Sequence, residues 1–371
     1  MFTLPESIVH NQIERAGLDD IYEKVINRQR LSKEDGLRLF ETNNINALGF
    51  LANLVRERMH GDKTYFVKNQ NINYSNLCVL NCSFCGFKRK PGQDGGWTFT
   101  IDQIVKKVVD EAKHGVHEIH IVGGLHPDMP YEYYLSMMSE IKNAAPQVFI
   151  KAFTMIEIDH MAKKFGKSHK QVLSELKTAG LDCMPGGGAE IFAPRVRTKL
   201  CPEKETGAEW LSIAKTAHEL GIKTNCTMLY GHIENYEDRV DHMLDLRNLQ
   251  DQTNGFFAFI PLAYQPNTPG FSGDWTSGID NLKTLAVGRL LLDNIPHIKC
   301  FWIMHSSQLA QISMYYGVND IDGTVTNYTI TKAAGASDTT SMTQNQIIKL
   351  IKDAGRIPVE RNSMYSTLAE F

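Results

Sequence analysis

Cys78, Cys82 and Cys85 fall within eight residues of one another in the segment SNLCVLNCSFCGFKRK. Three thiolates at that spacing can converge on one metal centre. A zinc site would want four ligands, usually with a second pair some distance away, and neither a second cysteine pair nor a matching histidine pair is apparent. An iron–sulfur cube normally takes four cysteines; held by three, it keeps one iron open for another ligand. A zinc site and a chance cluster of structural cysteines stay open as alternatives. The other four cysteines, Cys183, Cys201, Cys226 and Cys300, are scattered singly and read as small buried hydrophobes. The total of seven is odd, which argues against a disulfide framework and for a reducing compartment.

A chain of 371 residues exceeds what one core usually organises, unless the fold is a barrel. With 39 basic and 42 acidic residues and a net charge of −3, nothing points to nucleic acid or an anionic membrane as partner. The first twenty residues carry charges and lack the basic start and apolar run of a signal peptide. No run of about eighteen apolar residues occurs, so a cytoplasmic protein is expected.

Residues 1–60 read as helices, with Ser32 and Asp35 as a capping signal and a stop near Gly61. Strand-like and helix-like segments then alternate. Strands are expected at 65–72, 117–122, 148–154, 181–184, 222–229, 256–260 and 298–303, with a weak eighth near Asp320. Helices are expected at 101–114, 131–145, 156–165, 168–179, 208–220, 236–251, 282–294 and 307–316, and a long loop over 267–278. This order favours an α/β fold, a (β/α)8 TIM-type barrel. The expected division is an N-terminal helical extension (1–62), the barrel (63–325) and a C-terminal helical extension packed on it (326–371). In such a barrel the chemistry belongs at the C-terminal ends of the strands.

Cys78-x-x-x-Cys82-x-Phe84-Cys85, in the loop after the first expected strand, resembles the signature of the radical S-adenosylmethionine (SAM) superfamily. The resemblance implies a [4Fe–4S] cluster on the three cysteines. Its open iron would chelate the amino and carboxylate groups of SAM, which is cleaved to methionine and a 5′-deoxyadenosyl radical. Phe84 would lie near the adenine. Gly123-Gly124 stands where the family has Gly-Gly-Glu supporting the methionine amino group; here Leu125 replaces the glutamate. Glu190, closing Pro185-Gly186-Gly187-Gly188-Ala189-Glu190, is placed to bind ribose hydroxyls. Thr227-x-Leu229-x-Gly231-x-x-Glu234 resembles the motif beside adenine, and Lys204 stands where relatives place a cation for the cofactor carboxylate.

Longer runs, among them NINYSNLC, IVGGLHPDMPYEYY, IKAFTMIEIDH, AGLDCMPGGGAEIF, TMLYGHIENYEDRVDH and AFIPLAYQPNTP, resemble the aminofutalosine synthase family of the menaquinone futalosine route. The implied reaction adds the adenosyl radical to 3-[(1-carboxyvinyl)oxy]benzoate, with aryl migration and loss of a carboxylate, giving 6-amino-6-deoxyfutalosine. Two substrate carboxylates then need donors or cations. Candidates are His126, Arg195, Arg197 and His232 as catalytic residues, with Thr154, Asn225, Gln265, Arg356 and Arg361 as further donors. An electron donor such as flavodoxin or ferredoxin is implied. The related cyclic dehypoxanthine futalosine synthases, and a non-catalytic iron–sulfur or zinc protein, are the alternatives.

Overall fold

The computed structural model describes residues 6–266, 274–324 and 341–371. Four helices open the chain: α1 (Glu6–Arg15), α2 (Asp19–Ile26), α3 (Lys33–Glu41) and α4 (Ile45–His60). The Ser32 hydroxyl accepts from the Asp35 amide and Asp35 accepts from the Ser32 amide, the reciprocal cap its sequence predicts. Gly61, at φ 58°, ends α4.

A parallel sheet of seven strands forms the body, in the order β2 (Asn69–Ile72), β3 (Glu118–Ile121), β4 (Phe149–Ala152), β5 (Cys183–Met184), β6 (Lys223–Tyr230), β7 (Phe256–Ala263) and β8 (His297–Ile298). Every neighbouring pair is parallel. The expected α/β barrel is thus a curled half-barrel of seven strands. Its connections carry α5 (Ile101–Lys113), α6 (Tyr131–Ala144), α7 (Met155–Phe165), α8 (His169–Ala179), α9 (Pro194–Leu200), α10 (Gly207–Glu219), α11 (Tyr236–Thr253) and α12 (Gly278–Leu291). After β8 come α13 (Trp302–His305) and α14 (Ser307–Ser313).

The count of eight fails at both ends for one reason. The expected first strand, 65–72, divides at Lys68 into β1 (Lys63–Val67) and β2, which belong to different sheets. The Lys68 carbonyl accepts from His117 and Glu118 of the main sheet, while β1 runs parallel to β9 (Asp320–Gly323) and β10 (Ile357–Arg361). The expected eighth strand is therefore β9, in a second sheet of order β11-β10-β1-β9, with β11 (Thr367–Glu370) antiparallel to β10. A Lys299–Asp320 bridge links it to the end of β8. The C-terminal segment, expected to be helical, supplies one helix, α15 (Gln344–Asp353), and the two strands β10 and β11. The expected loop over 267–278 lies in part outside the described residues.

Alternation along the strands sorts the side chains. On β3, Ile119 and Ile121 are fully buried in the hydrophobic core, while Glu118 and His120 point to the other face. That inner face carries a buried polar network in which Lys151 bonds Glu118 (2.6 Å), Arg361 bonds Asp320 (2.7 Å) and Lys299 bonds Asp322 (2.8 Å). Each of these charges is paired, the condition for burying it.

Candidate functional site

The cysteine loop leaves β2 and returns to α5. Its backbone is fastened by Cys78 N to Arg89 O (3.0 Å), Val79 N to Leu125 O (3.0 Å) and Ser83 N to Leu200 O (2.9 Å). Asn81 donates from both its amide nitrogens to the Glu203 carboxylate. All seven cysteines are free. Burial pushes the Cys82 thiol up to about 12, so an incoming metal must displace its proton. Among the described residues no three His, Cys, Asp or Glu side chains converge as ligands of a single ion. A mononuclear zinc site would hold its sulfurs within roughly 4 Å of one another; a cube spreads them further. The loop supplies three cysteines and no fourth, and Cys85 lines a cavity shared with the strand ends. These residues fit a cluster with one open iron.

That cavity, of about 310 Å³, opens at the C-terminal ends of the strands. Cys85, Gly123, Glu190, Lys204 and Thr227 line it, as do Thr154, Glu157, Ile260 and Leu262. Gly123-Gly124 are glycines because neighbours leave no room. A Cβ on Gly123 would lie 2.6 Å from the Tyr74 ring, and one on Gly124 would lie 2.3 Å from the Leu77 carbonyl oxygen. Glu157 is the residue that sequence reasoning missed. Its carboxylate accepts from Gly123 N (3.1 Å), Tyr74 Oη (2.9 Å) and Thr154 N (2.7 Å), joining β3, the cysteine loop and the start of α7. Thr154-x-x-Glu157 is a capping box in the sequence, and that was its available signal.

After β5, Gly186 adopts φ 76° and Gly188 φ 88°, and a Cβ on Gly186 would lie 2.0 Å from the Asn225 carbonyl oxygen. The loop ends at Glu190, itself left-handed at φ 49°. Lys204 Nζ donates to Glu190 Oε1 at 2.5 Å and sits 5.4 Å above the Phe84 ring. Thr227 Oγ1 donates to Gly186 O (2.9 Å), and Leu229 N to Glu190 O (2.9 Å). Of the residues expected to bind the cofactor, Gly123, Glu190, Lys204 and Thr227 line the cavity, Phe84 lies under Lys204, and Leu229 is tied to the Glu190 carbonyl oxygen.

The four residues expected to be catalytic lie elsewhere. None of His126, Arg195, Arg197 and His232 lines the cavity. His126 Nδ1 accepts from Asp128 N, and Arg195 pairs with Asp238 on the exterior. His232 is enclosed between the Leu229 carbonyl oxygen and Glu234. Arg197 is buried and donates to the carbonyl oxygens of Ala189 and Glu205. It thereby fixes the segments that carry Glu190 and Lys204. Among the further donors, Thr154 lines the cavity, whereas Arg356 bonds Glu57 and Asp62, and Arg361 bonds Asp320.

Glu205 is 2% exposed and neither carboxylate oxygen has a hydrogen-bond partner among the described residues. Burial raises its carboxyl from 4.5 to about 7. The folded state holds a proton that the unfolded state releases, so this contribution is present below pH 4.5 and lost as pH rises through 7. Glu205→Gln is therefore expected to be more stable than the parent by ~1–3 kcal/mol at pH 8 and no more stable at pH 4. Urea unfolding at the two pH values measures this.

The cavity floor is polar. Asn71 and His120, paired across β2 and β3, line it together with Asn69 and Asp322. His120 Nε2 and Asn71 Oδ1 are buried and have no hydrogen-bond partner among the described residues. Burial first, then the nearby Lys151 charge, lowers the His120 imidazole to about 4.

Residues 72–246 match the Radical SAM superfamily, and residues 253–370 match the CofH/MqnC C-terminal region. The chain is 48% identical to an aminodeoxyfutalosine synthase of Thermus thermophilus, over 93% of its length and 94% of the relative's. It is 43% identical to that of Streptomyces coelicolor, over 96% and 95%. A cyclic dehypoxanthine futalosine synthase of Halalkalibacterium halodurans is 35% identical over 95% and 96%. The fold resembles the hydrogenase maturase HydG from Carboxydothermus hydrogenoformans (TM-score 0.72, 17% identity, 97% of this chain and 85% of that one). It likewise resembles methylornithine synthase PylB (TM-score 0.69, 16% identity, 90% and 95%). The chain belongs to the aminodeoxyfutalosine synthase family of radical SAM enzymes, which work with a [4Fe–4S] cluster and S-adenosylmethionine.

Proposed function

We propose that this protein joins the 5′-deoxyadenosyl group of SAM to 3-[(1-carboxyvinyl)oxy]benzoate, forming 6-amino-6-deoxyfutalosine for menaquinone biosynthesis in the cytoplasm. The observation that carries the reading is its full-length similarity to two aminodeoxyfutalosine synthases. Cys78, Cys82 and Cys85 would hold a cluster that, when bound, would supply the electron for cleavage of the sulfonium. The cavity residues then have distinct tasks. Lys204 faces the cofactor carboxylate, and Glu190 accepts from the ribose hydroxyls. Gly123 presents its backbone to the cavity for the methionine end of the cofactor. Ile260 and Leu262 offer apolar surface beside the adenine.

The new bond forms between C5′ and the vinyl CH2 of the substrate, which must wait at roughly 3–3.5 Å. The aryl group moves from oxygen to the adjacent carbon, and the vinyl-borne carboxylate leaves. The carboxylate leaves as the carbon dioxide radical anion, and only if that species passes its electron back to the oxidised cluster, becoming carbon dioxide, would the sum be redox-neutral. The benzoate end reaches the cavity floor, where His120 Nε2, without a hydrogen-bond partner among the described residues, donates to its carboxylate. His120→Ala is expected to raise KM for this substrate by about 10–100-fold, the worth of a hydrogen bond to a charged group. KM for SAM stays unchanged. Steady-state kinetics varying each substrate separately checks this.

The electron donor is a small redox protein such as flavodoxin or ferredoxin. Anaerobic reconstitution with iron and sulfide, followed by product analysis, tests the function. Adenosine incorporated into product with little free 5′-deoxyadenosine supports it. Stoichiometric free 5′-deoxyadenosine would overturn it in favour of the hydrogen-abstracting cyclase.

A further inference from the structure

Two ammonium groups hold the carbonyl oxygens of all three cluster cysteines. Lys90 Nζ donates to the carbonyls of Cys78 (3.2 Å), Val79 (2.7 Å) and Leu80 (3.1 Å). Lys88 Nζ donates to those of Cys82 and, at 3.5 Å, Cys85. Arg89, between them, donates to the Gly86 and Lys88 carbonyls. Neither lysine forms a salt bridge with a carboxylate among the described residues. Glu203, a nearby carboxylate that feels both charges, is held by Asn81 instead.

We propose that Lys88 and Lys90 are positioning residues for the iron–sulfur cluster: they fix the cysteine loop in its ligating shape and raise the cluster's reduction potential. This rests on Cys78, Cys82 and Cys85 being the ligands. A loop without regular structure has many conformations, and ordering it opposes metal uptake. An ammonium shared by three successive carbonyls removes most of that freedom before iron arrives. The same hydrogen bonds turn the carbonyl dipoles of the ligating residues towards the lysines. Two positive charges without a direct carboxylate partner among the described residues then lie within one loop of a cluster that gains a negative charge on reduction. Net charge nearby is one of the levers that set such potentials.

The test compares the full-length parent with Lys88→Met, Lys90→Met, the double variant, the charge-retaining Lys88→Arg and Lys90→Arg, and Cys82→Ala. Hydrogen exchange of amides 78–90 in the iron-free protein reads the clamp. It is expected to rise about tenfold in the methionine variants, the loss of a charge-assisted hydrogen bond, and to stay near the parent in the arginine variants. A redox titration of the reconstituted cluster reads the electrostatics. The double methionine variant is expected to hold about tenfold less reduced cluster at fixed potential, equivalent to about 59 mV for a one-electron couple. Unchanged exchange and unchanged potential in the double variant would overturn the proposal. If the parent binds no more iron than Cys82→Ala, the ligand assignment itself falls. The exchange measurement, made without iron, still decides the clamp.

Discussion

Replacing Cys82 with serine is expected to abolish cluster assembly and to lower product formation by about 10³-fold or more, some 4 kcal/mol of lost barrier reduction. A cube held by three cysteines has no ligand to spare. Cys82 is the most buried of the three, at 7% exposed, so no outside thiol can take its place. Cys201, whose thiol lies close enough to perturb that of Cys82, is fixed at the C-terminal end of α9 by its amide bond to Arg197 O (2.8 Å). Iron and sulfide analysis with visible absorption would show the loss, and circular dichroism would show a retained fold. Full activity in this variant would remove the cluster from the mechanism.

The cysteine triplet was legible because its chemistry is local: three residues in one short loop carry the signal by type and spacing. The barrel body was legible for a similar reason, since strands such as β6 and β7 are buried along most of their length and read as apolar runs. Lys68 broke the reading at one end. One residue between two short strands sends them to different sheets, and only the partners β3, β9 and β10 reveal it. At the other end, 298–303 looked like a strand through its β-branched and aromatic residues, yet only His297–Ile298 pairs in the sheet and Trp302–His305 turns helical. β10 and β11 escaped notice because β10 is polar within, its Arg361 buried against Asp320.

Among the residues lining the cavity, Glu190 beside the glycine-rich turn was an expectation from sequence, whereas residues acting across the fold were not. Glu157 lies 34 positions from Gly123, so nothing in the local pattern links it to that amide. His120 and Asn71 read as ordinary strand positions; their pairing at one register across β2 and β3 brings both into the cavity lining. The attraction of positive or basic residues led the other way, to Arg195, Arg197 and His232. Each of these turns out to have protein partners that account for its charge or its hydrogen bonds.

Lys204→Met is expected to weaken SAM binding by about 10²–10³-fold, roughly 3–4 kcal/mol, within the range for truncating one partner of a buried charge pair across a binding interface. Lys204 and Glu190 are nearly buried, with side chains 9% and 12% exposed, and they bond at 2.5 Å. Losing the ammonium leaves the Glu190 carboxylate without its ion-pair partner in the cavity wall. Lys204→Arg keeps the charge but changes its shape, and a smaller loss is expected because a planar fork cannot occupy the place of a compact ammonium. The double variant Lys204→Met/Glu190→Gln removes the stranded charge. It should regain most of the lost thermal stability, while SAM binding stays weak because the cofactor carboxylate still lacks its cation. Equilibrium SAM binding to the iron-loaded protein, measured beside thermal unfolding, separates the two effects. If stability falls and SAM affinity does not, the pair only supports the fold and the cofactor carboxylate is held elsewhere.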